Sequence, residues 1–175
     1  MFFVSKGGNM GQKAIEIIKR AGINTNELVK KLQSAYADEC LAYIQYWEGA
    51  RLPVGLLRES LVKEMTEHAQ EELEHANLIA KRIIELGAMP IVGPHEWLKK
   101  SACGYLEPLD SDIMVLLEQN ISSERCAIEV YKNLADFTRG KDDKTFKLAV
   151  KILEEELEHE QDLEDIRNDR ERSIN

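Results

Sequence analysis

Two segments of the chain carry a glutamate followed three positions later by a histidine. The first pair is Glu72 and His75, and the second is Glu156 and His159. Residues three apart lie on one face of an α-helix, one turn from each other, so each pair presents a carboxylate beside an imidazole. This mixture of ligands suits iron or manganese, whereas calcium prefers oxygen alone. The spacing by itself is a weak signal, because this chain is rich in glutamate.

The position of the glutamates is more informative than their spacing. Glu39 and Glu124, like Glu72 and Glu156, each interrupt an apolar stripe with three-and-four spacing, and such a stripe faces a helical core. The last of these stripes contains Phe146, Ala149, Leu153, Glu156, His159, Leu163 and Ile166. Burying an ionised carboxylate alone is strongly unfavourable. Two divalent cations would neutralise four carboxylates, and two neutral imidazoles would complete their coordination.

The sequence therefore predicts a centre for two metal ions. The predicted ligands are Glu39, Glu72, His75, Glu124, Glu156 and His159. We expect two iron ions per subunit, with manganese or zinc as possible substitutes. Glu129 is an alternative ligand in the third helical segment, although it lies off the stripe. A solvated acidic face explains most other glutamates, and Glu154, Glu155 and Glu158 are assigned to it.

Sparse glycines and prolines divide the chain into long helical segments. We predict a short helix near residues 11–21 and four long helices, over about 24–51, 56–86, 110–139 and 142–168. Asn24 and Glu27 resemble a capping box, and Gly87 is typical of a helix end. Residues 88–110 form a long crossover with a helical turn at Glu96–Lys100. Two antiparallel helical hairpins joined by a long crossover make an all-α, ferritin-like four-helix bundle.

The length and composition are those of a single globular domain. The chain has 175 residues, of which 43% are hydrophobic, and a formal net charge of -9. We expect an N-terminal extension over residues 1–24, the bundle over 25–168 and a C-terminal tail over 169–175. The acidic charge argues against direct DNA binding. Neither a membrane span nor a signal peptide is expected, and three scattered cysteines do not suggest a secreted scaffold, so we predict a cytoplasmic protein.

Two segments resemble motifs of a known family. The run Glu39–Trp47, with the sequence ECLAYIQYW, resembles the first-helix motif of bacterioferritins, and ELEHA over Glu72–Ala76 resembles their second-helix ligand motif. The resemblance covers residues 25–168 and implies a bacterioferritin-type, intrasubunit di-iron site in a ferritin-like protein. Leu73 stands where bacterioferritins have a haem-ligating methionine, so no haem is expected. Only sixteen residues follow His159, too few for the fifth C-terminal helix of 24-subunit ferritins.

With these departures, the chain resembles the DPS-like proteins called thioferritins. They combine such a site with a dodecameric cage and a cysteine pair, which implies a redox disulfide between Cys103 and Cys126. From the residues alone, two unpaired buried thiols remain an alternative. We expect Cys40 to be an inert helix residue. We expect His68, one turn before Glu72, to be a hydrogen-bonded core histidine, with an ion path or an accessory metal site as alternatives.

The resemblance also implies a function. It predicts a ferroxidase or peroxidase-type oxidoreductase that uses hydrogen peroxide to oxidise Fe(II), stores the iron in a homo-oligomeric cage, and protects against oxidative stress. One alternative is a di-iron or di-manganese peroxidase or catalase that stores no mineral. A second alternative is a structural helical bundle that binds no metal stoichiometrically.

Overall fold

The computed structural model describes residues 12–172, which form six α-helices. These are α1 (Gln12–Arg20), α2 (Thr25–Gly49), α3 (Arg58–Glu85), α4 (Pro94–Lys100), α5 (Ile113–Thr138) and α6 (Asp143–Arg172). Helices α2, α3, α5 and α6 form the predicted four-helix bundle, while α1 and α4 are short. Within residues 12–172, no helix is long and apolar enough to cross a membrane. Residues 1–11 of the predicted extension and 173–175 of the predicted tail lie outside the described part.

Polar side chains cap the starts of α2 and α5, whereas α3 begins after Leu57 without a side-chain cap. Asn24 accepts hydrogen bonds from the backbone N–H groups of Asn26 and Glu27 at the start of α2. Asp112 caps α5 in the same way, which satisfies N–H groups that have no partner within the helix. Gly87, with φ 80°, follows the end of α3, in a backbone conformation that side chains with a Cβ rarely adopt.

Helix α6 is longer than the sequence predicts. It continues to Arg172 instead of ending near Asn168. Ion pairs between residues three apart line this last stretch, including Arg167 with Glu164 at 3.1 Å. Such pairs add a few tenths of a kcal/mol each to an exposed helix, so the mixed charges that suggested a tail extend the helix.

The crossover carries the chain from one end of the bundle to the other. It first runs along α2, where Gln33 donates a hydrogen bond to the Met89 carbonyl and Ser34 donates one to the Lys100 carbonyl, both at 2.8 Å. At its far end, Asp112 forms a single parallel backbone bridge with Val54, which precedes α3. Helices α3 and α5 therefore begin at the same end of the bundle, as the ferritin-like topology requires.

Two hydrophobic clusters occupy the two ends of the bundle. One includes Leu28, Leu32, Ile79, Ile83, Tyr131, Leu134, Ala149 and Ile152. The other includes Tyr46, Leu61, Met65, Ile113, Leu117, Ile121 and Leu163. In the predicted stripe of α6, Phe146, Leu153 and Ile166 pack against the core but are only partly buried, whereas Ile152, which lies off the stripe, is fully buried. Along every long helix, the predicted glutamate lies between the residues of the two clusters.

Candidate metal centre

The structure brings all six predicted ligands together in the middle of the bundle. Each of them is at most 3% exposed. They fall into two groups of four whose ligand atoms lie within 4.8 Å of one another: Glu39, Glu72, His75 and Glu156, and Glu72, Glu124, Glu156 and His159. The alternative ligand Glu129 is exposed on the outside of α5. Since Glu72 and Glu156 belong to both groups, they are placed to bridge two ions.

Each histidine directs its Nδ1 atom towards the shared carboxylates. The Nδ1 atom of His75 lies 3.2 Å from Glu156, 3.3 Å from Glu39 and 3.5 Å from Glu72. The Nδ1 atom of His159 lies 3.5 Å from Glu72, 3.6 Å from Glu156 and 3.8 Å from Glu124. Ligands that share an ion at about 2.1 Å lie roughly 3–3.4 Å apart, so small movements would close each group around a cation.

The atoms that face the centre are buried without hydrogen-bond partners among the described residues. They include Oε2 of Glu39, Oε1 of Glu72, both carboxylate oxygens of Glu156, and Nδ1 of His75 and His159. A buried polar atom without a partner costs about 1–3 kcal/mol, and more when it is charged. A set of such atoms in one place is the arrangement that a bound cation satisfies, so the residues fit a dinuclear metal site.

The charges in the centre favour added positive charge. Burial and the nearby carboxylates of Glu72 and Glu156 raise the pKa of Glu39 well above its usual value. Burial and the charge of Glu156 likewise raise the pKa of Glu124. Burial alone would lower the pKa of His75, but the nearby carboxylates of Glu156, Glu39 and Glu72 outweigh this effect and raise the pKa. Bound cations would relieve the same repulsion.

Two further glutamates orient the histidines, and sequence reasoning missed both. Nε2 of His75 lies 3.1 Å from Glu155, and Nε2 of His159 lies 2.7 Å from Glu71. Because a carboxylate only accepts, Nε2–H donates and Nδ1 is left to face the centre, as is usual for metal-binding histidines. The assignment of Glu155 to a solvated face was therefore wrong. The signal was a glutamate directly before each E-x-x-H motif.

Two buried tyrosines orient the carboxylates in a crossed pattern. Tyr46 on α2 donates a hydrogen bond to Glu124 on α5, and Tyr131 on α5 donates one to Glu39 on α2. Each tyrosine follows the glutamate of its own helix by seven residues, or about two turns. That repeated spacing was the available signal. It shows that these tyrosines hold the site together as well as filling the core.

His68 does not match its predicted role as a hydrogen-bonded core histidine. It is 1% exposed, yet neither ring nitrogen has a hydrogen-bond partner among the described residues. Its ring stacks on His159, with 4.1 Å between centroids, and meets Tyr46 edge-on. Burial lowers the pKa of His68 to about 3. It therefore lies beside the centre as a neutral imidazole with free lone-pair and N–H positions.

The crossover covers the α2/α5 side of the centre. Cys103 and Cys126 form a disulfide, with a Cα–Cα distance of 5.6 Å, and Cys40 is a buried free thiol. The buried side chains of Asp38 and Gln45 accept hydrogen bonds from the backbone N–H groups of Cys103 and Leu106. Together these contacts fix the crossover over Glu39 and Glu124. The cavity left on this side measures about 20 Å³.

The α3/α6 side of the centre is open and acidic. A pocket of about 220 Å³ reaches His159 there and is lined by Glu64, Glu67, His68, Glu71, Glu155, Glu158, His159 and Asp162. Six of these eight side chains are carboxylates. The cavities on the two faces therefore differ in size, and six carboxylates line the larger one whereas four line the smaller one.

Comparisons with known proteins identify the family of this chain. A family model described as a ferritin-like domain matches residues 29–173. The DNA protection during starvation protein of Pyrococcus furiosus is 35% identical over 147 residues, which cover 82% of this chain and 78% of that protein. The match confirms the resemblance predicted from the bacterioferritin-type motifs.

Solved structures show the same fold. A dodecameric, bacterioferritin-related thioferritin from Bacteroides fragilis is 44% identical, with a TM-score of 0.91, over 93% of this chain and 96% of that one. The DPS protein of Vibrio cholerae, a ferritin-like diiron-carboxylate protein, is 15% identical with a TM-score of 0.75, over 80% and 88%. The second likeness shows the fold, and the first extends to the sequence.

Proposed function

Since this chain belongs to the ferritin-like family, we propose that it binds two Fe(II) ions on Glu39, Glu72, His75, Glu124, Glu156 and His159 and oxidises them with hydrogen peroxide. The observation that carries the proposal is the pair of overlapping four-residue groups that share Glu72 and Glu156. Those two carboxylates hold the substrate ions close together. His75 completes one ion position and His159 completes the other, and each histidine is held in place by a glutamate, Glu155 or Glu71.

The proposed reaction balances with one peroxide for two ions. Each Fe(II) gives up one electron, the O–O bond of hydrogen peroxide breaks, and two protons are taken up to form two waters. Because both electrons are available at one centre, the bond breaks without release of a hydroxyl radical. The protein contributes a fixed geometry, buried carboxylates that favour the higher charge of ferric iron, and two tyrosines that hold Glu39 and Glu124 in place.

We further propose that the chains assemble into a closed, iron-storing cage, most simply of twelve subunits like the thioferritin from Bacteroides fragilis. Several large apolar side chains support assembly because they are exposed on a single chain: Leu56, Met89, Val92 and Leu109 are each more than 70% exposed. Twelve chains of 20.0 kDa correspond to about 240 kDa. Light scattering that returned the mass of one or two chains would contradict the cage but not the metal centre.

Anaerobic loading followed by oxidant addition tests the reaction. The protein is given two Fe(II) per chain, and hydrogen peroxide or dioxygen is then mixed in while ferric iron is followed by absorbance. We expect two Fe(II) consumed per peroxide, and faster oxidation by peroxide than by dioxygen. A protein that bound less than one ion per chain would be a structural bundle.

The fate of the ferric product separates storage from simple peroxide removal. Repeated additions of Fe(II) and peroxide should deposit many more than two iron atoms per chain in a protein of unchanged mass. If two ions instead stayed bound through many turnovers with no further uptake, the protein would be a peroxidase or catalase without mineral storage.

A further inference from the structure

We propose that Glu64, His68 and Asp162 form a third metal site, which holds a divalent cation at the bottom of the acidic pocket beside the dinuclear centre. The three side chains offer two carboxylate oxygens and one imidazole nitrogen within 4.8 Å of one another. This mixture suits Fe(II), Mn(II), Co(II) or Zn(II) better than calcium. The site is separate from the six predicted ligands and uses none of them.

The state of His68 is the observation that indicates a bound cation at this site. Its side chain is buried, and neither ring nitrogen is hydrogen-bonded within the described part of the chain. Nε2 lies 3.5 Å from Glu64 and 3.9 Å from Asp162, beyond the usual 2.7–3.2 Å of a hydrogen bond. Ligands on one ion at about 2.1 Å are roughly 3–3.4 Å apart, so a modest closure would bring all three atoms onto a cation.

The two carboxylates are free to serve as ligands. Among residues 12–172, neither Glu64 nor Asp162 forms an ion pair with lysine or arginine, whereas the neighbouring Glu67 is paired with Lys63 at 2.8 Å. Glu64 and His68 are four residues apart on α3 and so share a helix face. Asp162 approaches from α6, which gives the site ligands from both walls of the pocket.

The surrounding charge would draw cations to this position. Glu67, Glu71, Glu155 and Glu158 line the same pocket of about 220 Å³. A concave site with one sign of charge raises the local concentration of the opposite ion. The pocket is also wide enough to admit a cation that still carries water molecules, because its volume is many times the roughly 10–15 Å³ that a cavity needs to hold one water.

His68 also connects this site to the dinuclear centre. Its ring stacks on that of His159, and its ligand atoms form a second possible group with Glu124 and His159 within 4.8 Å. If the proposed ferroxidase function holds, the ion bound by Glu64, His68 and Asp162 is Fe(II) on its way to that centre. His68 would then stay bound to the ion while the ion dissociates from Glu64 and Asp162.

Cobalt(II), which is stable in air, probes the site without any redox reaction. The full-length protein is dialysed against Co(II), the bound metal is counted, and crystals are examined by anomalous diffraction at the cobalt edge. We expect three ions per chain in the unchanged protein and two in Glu64→Gln and in Asp162→Asn. Glu158→Gln removes an equal charge from the same pocket without removing a proposed ligand, so it should keep three.

Two results would overturn the third site. One is an unchanged protein that binds two ions with no cobalt beside His68. The other is loss of the third ion in Glu158→Gln as well. That result would mean that the overall negative charge of the pocket holds the third ion, and not Glu64, His68 and Asp162 as specific ligands. Cobalt beside His68 but none between Glu72 and Glu156 would instead contradict the proposed function and leave this site standing.

Discussion

The hydroxyl group of Tyr46 donates a hydrogen bond to Glu124 across the core, from α2 to α5. This contact holds one carboxylate oxygen and turns the other towards His159, whose Nδ1 lies 3.8 Å away. Tyr46→Phe would keep the packing and lose the bond, so we expect affinity for Co(II) to fall by about 10- to 100-fold, as for other residues that orient ligands. Tyr43→Phe, one turn earlier on α2, should bind Co(II) normally. Equal affinity in both variants would show that Tyr46 only fills space.

Substitution on α5 distinguishes the buried glutamate from its exposed neighbour. Glu124→Gln should abolish fast Fe(II) oxidation, because a neutral amide is a poor replacement for a metal-binding carboxylate. Glu129→Gln, on the outside of the same helix, should oxidise Fe(II) at the normal rate. Stopped-flow absorbance measures both. Rates within twofold of each other would mean that Glu124 is not a ligand.

Removal of a bridging carboxylate should not unfold the bundle. In Glu72→Ala, repulsion of Glu39 and Glu124 falls, whereas the contacts with His159 and His75 that lower the pKa of Glu72 despite its burial are lost. These effects oppose each other, so the free energy of unfolding of the metal-free protein should change little. Fast Fe(II) oxidation should nevertheless be lost. Urea titration of protein treated with a chelator gives the stability, and a drop of several kcal/mol would show that Glu72 has a structural role that the charge argument omits.

The disulfide should stabilise the protein by constraining its unfolded chain. Cys103 and Cys126 are separated by 23 residues, and closing a loop of that length contributes about 3 kcal/mol. Cys126→Ser should therefore lower the free energy of unfolding by about this amount. Thiol counting on unfolded protein should give one free thiol before reduction and three after it. Three thiols without reductant would rule the bridge out.

The stabilising effect of a disulfide should also depend on reductant. Reduced and oxidised forms of the unchanged protein should differ in urea midpoint, whereas Cys126→Ser should unfold at the same midpoint with and without reductant. Cys40→Ser serves as the control, because the buried free thiol of Cys40 lies outside the bridge. A difference that persisted in Cys126→Ser would have to come from some other reducible group.

A buried ion pair at the start of α6 should make stability depend on pH. Asp142 accepts hydrogen bonds from Arg82 at 2.7 Å and from Thr145. Burial alone would raise the pKa of Asp142, but these bonds outweigh it and hold the pKa below its usual 3.8. Asp142→Asn should cost up to about 3 kcal/mol at pH 7, since it leaves the buried Arg82 with the partly exposed Glu85, at 3.1 Å, as its remaining carboxylate partner.

The sign of the pH effect follows from the lowered pKa. The carboxylate of Asp142 stabilises the folded state at every pH above the pKa that it has in the unfolded chain. It loses that effect as the pH falls through the lower pKa that it has in the folded protein. The difference in stability between the unchanged protein and Asp142→Asn should thus be constant above about pH 5 and shrink below pH 4. Asp143→Asn, at the exposed neighbouring position, should show no such difference. A gap that stayed constant down to pH 2 would contradict the argument.

The bundle and the grouping of its glutamates were predictable because both depend on helix periodicity. Glu39 and Glu124 interrupt apolar stripes, and no soluble core accepts such a charge without compensation. Periodicity was less exact at Leu153, which packs against the core but is only partly buried, while the neighbouring Ile152 is fully buried. An apolar stripe predicts which face of a helix is buried, but it does not predict which of two neighbouring residues on that face is the more deeply buried.

Contacts between helices were harder to foresee. The hydrogen bond that His75 on α3 donates to Glu155 on α6 depends on how closely those two helices approach, and no pattern within one helix encodes that distance. His68 shows the same limit. Its position on the stripe predicted burial, but the nearest polar groups on α6 decide whether its ring nitrogens find partners, and they lie just too far away.

The different sizes of the two cavities beside the centre affect how iron ions and oxidant can reach it. On the face fixed by the disulfide, a cavity of about 20 Å³ beside Ala42, Gly104 and Ala127 has room for about one water-sized molecule. We expect a small uncharged oxidant, and not a hydrated cation, to use this side, while the wider pocket on the opposite face, lined by six carboxylates, attracts cations. Iron and oxidant would then reach the centre from opposite faces and would not compete for one entry route. An excess of iron would then leave the arrival of oxidant unhindered, and the two reactants would first meet between Glu72 and Glu156.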